Sequence, residues 1–339
     1  MVKAKKKKKR VKEKATHSMF ARGGLDLLLV GGFIALFYQT LYILISMESQ
    51  IKEISYPFFV QFFKDVGFFF LFVTVVCVCV FYLKKVEFFQ KHAGSFLVAG
   101  TVLSVPAAIY SLYMVIDSMR DQTITLQSYA AGELPLIAGS LSKLYIFAGA
   151  FLLGIYLWGY RGTRKWASQL FVGGTAVGCA FVAASIYSTY ENTKIFLEMY
   201  STSRDLIISR LLFPEMLKLS SWLLIIIGVL FFSASYIFTE RFQKWAGRAW
   251  VFGGIAGTFQ EFLQLSLDSE VVRSEITSVR QSIMELTPYA SSLKNLPLTV
   301  ETMKEFYIKK MIPLYLEHSF WILIFAGIAV LGIYFWMKE

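Results

Sequence analysis

Eight stretches of this chain stay apolar for roughly 20 residues each, the length a helix needs to cross about 30 Å of hydrocarbon. They are Leu25–Ser46, Val66–Leu83, Ser95–Ile116, Leu144–Tyr160, Ser168–Tyr190, Leu219–Phe238, Ala249–Leu267 and Ser319–Met337. In lipid the backbone N–H and C=O groups find no water, so only helices and closed barrels can span. Membrane strands would be about half as long and would alternate polar with apolar residues. These runs do neither, so the expected fold is an all-α integral membrane protein with eight transmembrane helices. Composition agrees, with 56% of the 339 residues hydrophobic and 17% charged, against about 45–50% and about 25% in soluble domains. That balance excludes a disordered chain, a disulfide scaffold and an ordinary soluble enzyme. The three cysteines, Cys77, Cys79 and Cys179, all lie in apolar runs, where thiols pack as small hydrophobes. The first run is too long for a signal core and lacks a small-residue cleavage pattern, so it reads as a retained helix.

Orientation follows from Lys/Arg density. The links Lys84–Gly94, Arg161–Ala167 and Glu240–Arg248 hold nine Lys/Arg in 27 residues, whereas the four connections on the other side hold eleven in 96. Residues 1–22 carry ten Lys/Arg against one Glu, a net of +9 within a formal total of +11. The basic links therefore share a side with the basic tail, which places both termini in the cytoplasm of a cell-membrane protein. Trp158, Trp166, Trp245, Trp250 and Trp336 fall at inner ends and Trp222 and Trp321 at outer ends, as aromatic belts do.

A fourfold pattern runs through the spans. A basic residue is followed nine positions later by glycine and four after that by another small residue: Arg22/Gly31/Ala35, Lys91/Gly100/Ser104, Lys165/Gly174/Gly178 and Lys244/Gly253/Gly257. A proline then introduces the second helix of each unit: Pro57, Pro135, Pro214 and Pro313. Proline suits a first helical turn, where its missing N–H needs no partner. The division is a disordered polybasic tail (1–22) and four tandem parallel helical hairpins (23–90, 91–164, 165–243 and 244–339). The small residues share one face of each odd-numbered helix. In lipid, such faces permit the close backbone approach that drives helix association, so they are expected to form one interface repeated four times.

The non-cytoplasmic connections are Met47–Tyr56, Asp117–Leu134, Glu191–Phe213 and Asp268–Ile312, lengthening from 10 to 45 residues. Val115, Met119, Gln122, Leu126 and Tyr129 keep heptad-like spacing, as do Val272, Ile276, Val279, Ile283 and Leu286, with Pro288 near the stop. The third and seventh spans should therefore continue as helices beyond the bilayer. Together with the long insertion 268–312 they predict a small helical cap on the non-cytoplasmic side.

Chemistry-bearing residues are few. Glu261 is the one acid well inside a span, roughly 18 Å from its inner end. Gln260 and Gln264 share the stripe of Gly253 and Gly257, and Glu261 flanks it. An intramembrane ionisable residue is a candidate functional site, although a glutamate stitching helices together explains it more simply. Gln39, Ala108 and Val182 stand at the equivalent positions, so no ring of carboxylates is formed. Lys64, Asp65, Lys143, Lys218, Glu317 and His318 lie near the outer starts of even-numbered helices, where snorkelling accounts for them; Lys143 or Lys218 could also neutralise Glu261. Asp26, one turn after Arg22, should form an exposed pair with it. His17 and His92 fall inside and His318 outside, so the histidines cannot converge on a metal. No nucleophile motif, phosphate loop or dinucleotide fingerprint is present, and no catalytic residue or cofactor is expected.

Lys5, Lys6, Lys7, Lys8, Lys9 and Arg10 form the core of the tail. Each basic residue near an anionic leaflet contributes about 1 kcal/mol, so anionic inner-leaflet lipids are the expected partner. Nucleic acid is not, because no aromatics are interleaved to stack on bases. The functional expectation is a structural scaffold or a partner-binding accessory subunit of a membrane complex, pairing with a membrane protein or with its own copies. The alternative is a channel or transporter with a path near Glu261.

Overall fold

The computed structural model describes residues 2–50, 56–119, 134–199, 204–286 and 307–337. These form eight long helices: α1 (Val2–Gln50), α2 (Tyr56–Lys84), α3 (Glu87–Ser118), α4 (Leu134–Leu157), α5 (Thr163–Met199), α6 (Phe213–Ser235), α7 (Arg241–Leu286) and α8 (Ile312–Met337). Seven helical segments are long and apolar enough to cross a membrane; α7 is not among them. Its apolar stretch is interrupted by Gln260, Glu261 and Gln264, which lower its mean hydropathy without shortening it.

Each helix packs against its two neighbours in the chain, and α8 also packs against α1. The helices therefore close into a ring with neighbours antiparallel. Gly94 at the start of α3 lies against Gly154 and Trp158 at the end of α4, and Gly24 near the start of the α1 span lies against Leu331 of α8. Short turns at 85–86, 158–162 and 236–240 join α2 to α3, α4 to α5 and α6 to α7. The first places Lys85 at φ 58 and the second Gly159 at φ 115. The Lys85 N–H donates to the Phe81 carbonyl at 2.7 Å, closing α2 with a left-handed residue. Arg22 and Asp26 approach to 4.0 Å on an exposed face.

Helix α1 includes the lysine-rich segment from Val2 onward. Lys, Arg, Glu and Ala are strong helix formers, and the segment runs on from a stable span, so no new nucleation is needed. The described residues of the connection Glu191–Phe213 are helical. α5 runs to Met199, then Arg204–Ile207 and a π turn at Ile208–Leu212 lead into α6. A second π turn, Tyr307–Met311, leads into α8. Both turns end two residues before a proline, Pro214 and Pro313, whose missing N–H breaks the regular ladder and favours such a local change of register. Pro106 sits within α3 and leaves the Val102 carbonyl without its usual partner.

α5 has 37 residues and α7 has 46, or about 55 and 69 Å at 1.5 Å per residue, so both extend far beyond a bilayer core. The extension of α7 is tied to each π turn by an ion pair, Arg210–Glu270 at 3.1 Å and Lys310–Glu275 at 2.7 Å. Both pairs are half exposed and contribute about 0–1 kcal/mol each. Val272 and Ile276 are half-buried on this extension. Of the two seams, Gln122, Leu126 and Tyr129 lie outside the described residues, as does Pro288.

Ring closure gives a direct check. The ideal Cβ of residue 327 lies 2.8 Å from Leu28 Cγ. A Leu28→Cys/Gly327→Cys pair in a chain with its three native cysteines replaced by serine should cross-link within one molecule. A failure to cross-link while the protein remains monodisperse would mean that α8 does not close on α1.

Candidate functional site

The glycine faces lie at the contacts of α2 with α3, α4 with α5, α6 with α7 and α8 with α1. Cβ atoms built at Gly174 and Gly253 would lie 2.9 Å from Tyr145 Cβ and 3.0 Å from Leu224 Cβ. Tyr145 and Leu224 each stand ten residues after their proline, as do Gly67 and Leu323. A Cβ at Gly100 would lie 2.9 Å from the Gly67 carbonyl oxygen, and one at Gly31 would lie 3.1 Å from Leu323 Cβ. Two junctions share a polar pin as well. Ser142 Oγ donates to the Gly174 carbonyl, and Ser221 Oγ to the Gly253 carbonyl, both at 2.8 Å. Gly178 and Gly257 lie beside those same serine hydroxyls. Ala35 and Ser104 are buried. The α8–α1 junction thus uses the same positions as the junctions within the chain.

One helical turn or so toward the long-connection face, a polar belt crosses four helices. α7 and α8 meet with Gly247 beside Gly332 and Gly254 beside Phe325 and Ala329. That antiparallel register brings residue 261 opposite residue 318. His318 Nδ1 lies 2.7 Å from Glu261 Oε2, and its Nε2 lies 3.2 Å from Asp268 Oδ2. Gln264 Nε2 donates to Asp268 Oδ1 at 3.0 Å. Glu261, Gln264 and Asp268 share a face because they stand at i, i+3 and i+7. Gln260 is buried at 3% exposure and is not part of this hydrogen-bonded set.

The belt continues on the other side of α8. The Tyr38 hydroxyl of α1 donates to Glu317 Oε2 at 3.1 Å. Gln39 Nε2 donates to the Asp65 carbonyl at 3.1 Å, and Gln61 Nε2 reaches Asp65 Oδ1 at 3.0 Å. Snorkelling does not account for Asp65 or His318, which are 5% and 6% exposed. Nor does a lysine neutralise Glu261: Lys218 pairs with Glu215 at 3.4 Å, and Lys143 is exposed on α4, which does not border α7 in the ring. Sequence spacing had His318 on the outer end of its helix; only the α7–α8 register reveals it as the partner.

Immediately below the belt, aromatic rings reach between helices that are not ring neighbours. Trp222 of α6 meets Trp321 of α8 at 5.6 Å between centroids, and Phe72 of α2 meets Phe320 of α8 at 5.6 Å. Second neighbours in a closed ring can touch only on its concave side, so these rings occupy the interior. Phe320 and Phe325 are fully buried there. The polar residues on α7 and α8 are thus underlain by an apolar layer. Comparison of the chain with protein-family models, with curated proteins and with solved structures gives no match.

Proposed function

We propose that this multi-pass membrane protein is a structural, partner-binding member of a membrane complex, built as four like hairpins closed into a ring. The observation that carries the reading is an aromatic layer: Trp222 meets Trp321 and Phe72 meets Phe320 between second-neighbour helices beneath the polar belt. A conduit would need polar lining to continue through that layer. Helices that pack on one another with small residues, and extensions that reach well beyond the bilayer, are what a scaffold uses instead. The common use of the glycine and post-proline positions at four junctions supports the repeat.

In this reading α7 also crosses, as the eighth span. It packs along both α6 and α8, each apolar enough to span, so it shares their depth in the membrane. The Lys/Arg-dense short links then mark the cytoplasmic side, together with both termini and the basic segment, which meets anionic lipid. Met199, Leu211 and Val271 are exposed apolar residues on the opposite side, and they are the surface offered to a partner membrane protein or a second copy.

A photo-crosslinking amino acid at Met199, Leu211 or Val271 should yield one protein adduct of defined mass in intact membranes, whereas the same group at Phe33 or Phe252 should yield lipid adducts. No protein adduct at the first three positions, together with a Glu261-dependent ion flux in proteoliposomes, would overturn the scaffold in favour of transport. That second reading is supported by the buried Glu261–His318–Asp268 set.

A further inference from the structure

We infer that Glu261, His318 and Asp268 form a binding site for one exchangeable proton, which bridges α7 and α8 and is loaded from the long-connection surface through Asp268. This holds whether the protein serves as a scaffold or as a conduit. Both ring nitrogens of His318 face carboxylate oxygens, at 2.7 and 3.2 Å. A neutral imidazole carries one N–H and a lone pair on the other nitrogen, and an ionised carboxylate only accepts. With both carboxylates ionised and the ring neutral, one contact would set two acceptors against each other with no hydrogen between them. One added proton, on the ring or on the carboxyl facing its lone pair, satisfies both contacts. The net charge of the three groups changes from −2 to −1.

Burial sharpens the requirement. The side chains of His318 and Glu261 are 8% and 12% exposed, whereas that of Asp268 is 34% exposed. Water therefore meets the set at Asp268. Glu261 stands seven residues along α7, about 10 Å deeper, with the imidazole between them. A proton received at Nε2 and released at Nδ1 is the ordinary action of a histidine relay.

Other charges nearby are already engaged. Glu317 accepts from Tyr38 of α1, Glu270 pairs with Arg210, and Glu275 pairs with Lys310. Glu215 and Lys218 on α6 pair with each other. Among the described residues, no Lys or Arg bridges Glu261 or Asp268, which leaves the proton as their counter-charge. A metal ion fits poorly, since the two ring nitrogens diverge and no group of three ligands converges among the described residues. Of the three side chains Asp268 is the most exposed, so the site loads and empties there.

The test uses the full chain, labelled with 15N-histidine in lipid nanodiscs at neutral pH, with His318 assigned by its loss in His318→Gln. The expected spectrum shows hydrogens on both ring nitrogens. The equivalent expected result is one ring hydrogen together with a carboxylic-acid infrared band that is lost in Glu261→Gln or Asp268→Asn. A neutral ring with no such band would overturn the inference. If either carboxamide variant fails to fold, the wild-type ring and infrared readings decide by themselves.

Discussion

Gly247→Leu should abolish recovery of folded, monodisperse protein, and even Gly247→Ala should cost about 3 kcal/mol, the upper end for an overpacked interior. A Cβ at this position would press on the Trp336 backbone nitrogen, lie 2.7 Å from the Gly332 carbonyl oxygen and lie 2.9 Å from the Phe335 carbonyl carbon. All three are backbone atoms, which cannot rotate away, so α8 must move bodily off α7. Gly254→Ala should behave alike, with the Phe325 carbonyl at 2.6 Å. Gly173→Ala is the control, because its Cβ would meet only Tyr145 Cδ1 at 3.9 Å. Alanine there should be neutral or gain up to about 1 kcal/mol of helix propensity. Gly174→Leu and Gly253→Leu should fall between, since each presses on both side-chain and backbone atoms of the preceding helix. Retention of the fluorescent size-exclusion peak after heating reads all six. Equal tolerance at positions 173 and 247 would show that close helix approach does not hold the ring together.

That contrast also marks what sequence could show. Helical class and seven of the spans were legible because lipid imposes both length and apolarity, whereas Gly31, Gly100, Gly174 and Gly253 stood out only by a recurring spacing. Gly247 and Gly332 carry no such signal. They matter because α7 and α8 happen to cross at that level, a tertiary fact. The belt was half legible for the same reason. Glu261 stood out as an acid within an apolar run, yet its partner lies 57 residues away on an antiparallel helix, where composition makes His318 look like an interfacial residue. Asp65 was misread similarly, since it is buried and bonded to Gln61 within α2 and to Gln39 of α1.

His318→Leu should destabilise the protein by about 3–5 kcal/mol, the cost of removing one partner from a buried ionic set. Most of the loss comes from Glu261, whose side chain is 12% exposed. Asp268 contributes less because it is a third exposed and water screens it. Adding Glu261→Leu to His318→Leu should restore much of the loss, since leucines of similar volume suit an apolar interface and leave no charge stranded. The order of thermal retention in mild detergent is therefore wild type and the double variant first, with the single variant well below. This pair also separates structure from function. A double variant that folds and still forms the partner adduct at Met199 or Leu211 would assign the set to holding α7 against α8. A double variant that folds but loses the adduct would mean that the proton-loaded set controls how the extensions meet their partner. If His318→Leu proved as stable as wild type, water must already reach Glu261, and the junction between α7 and α8 would be open rather than packed.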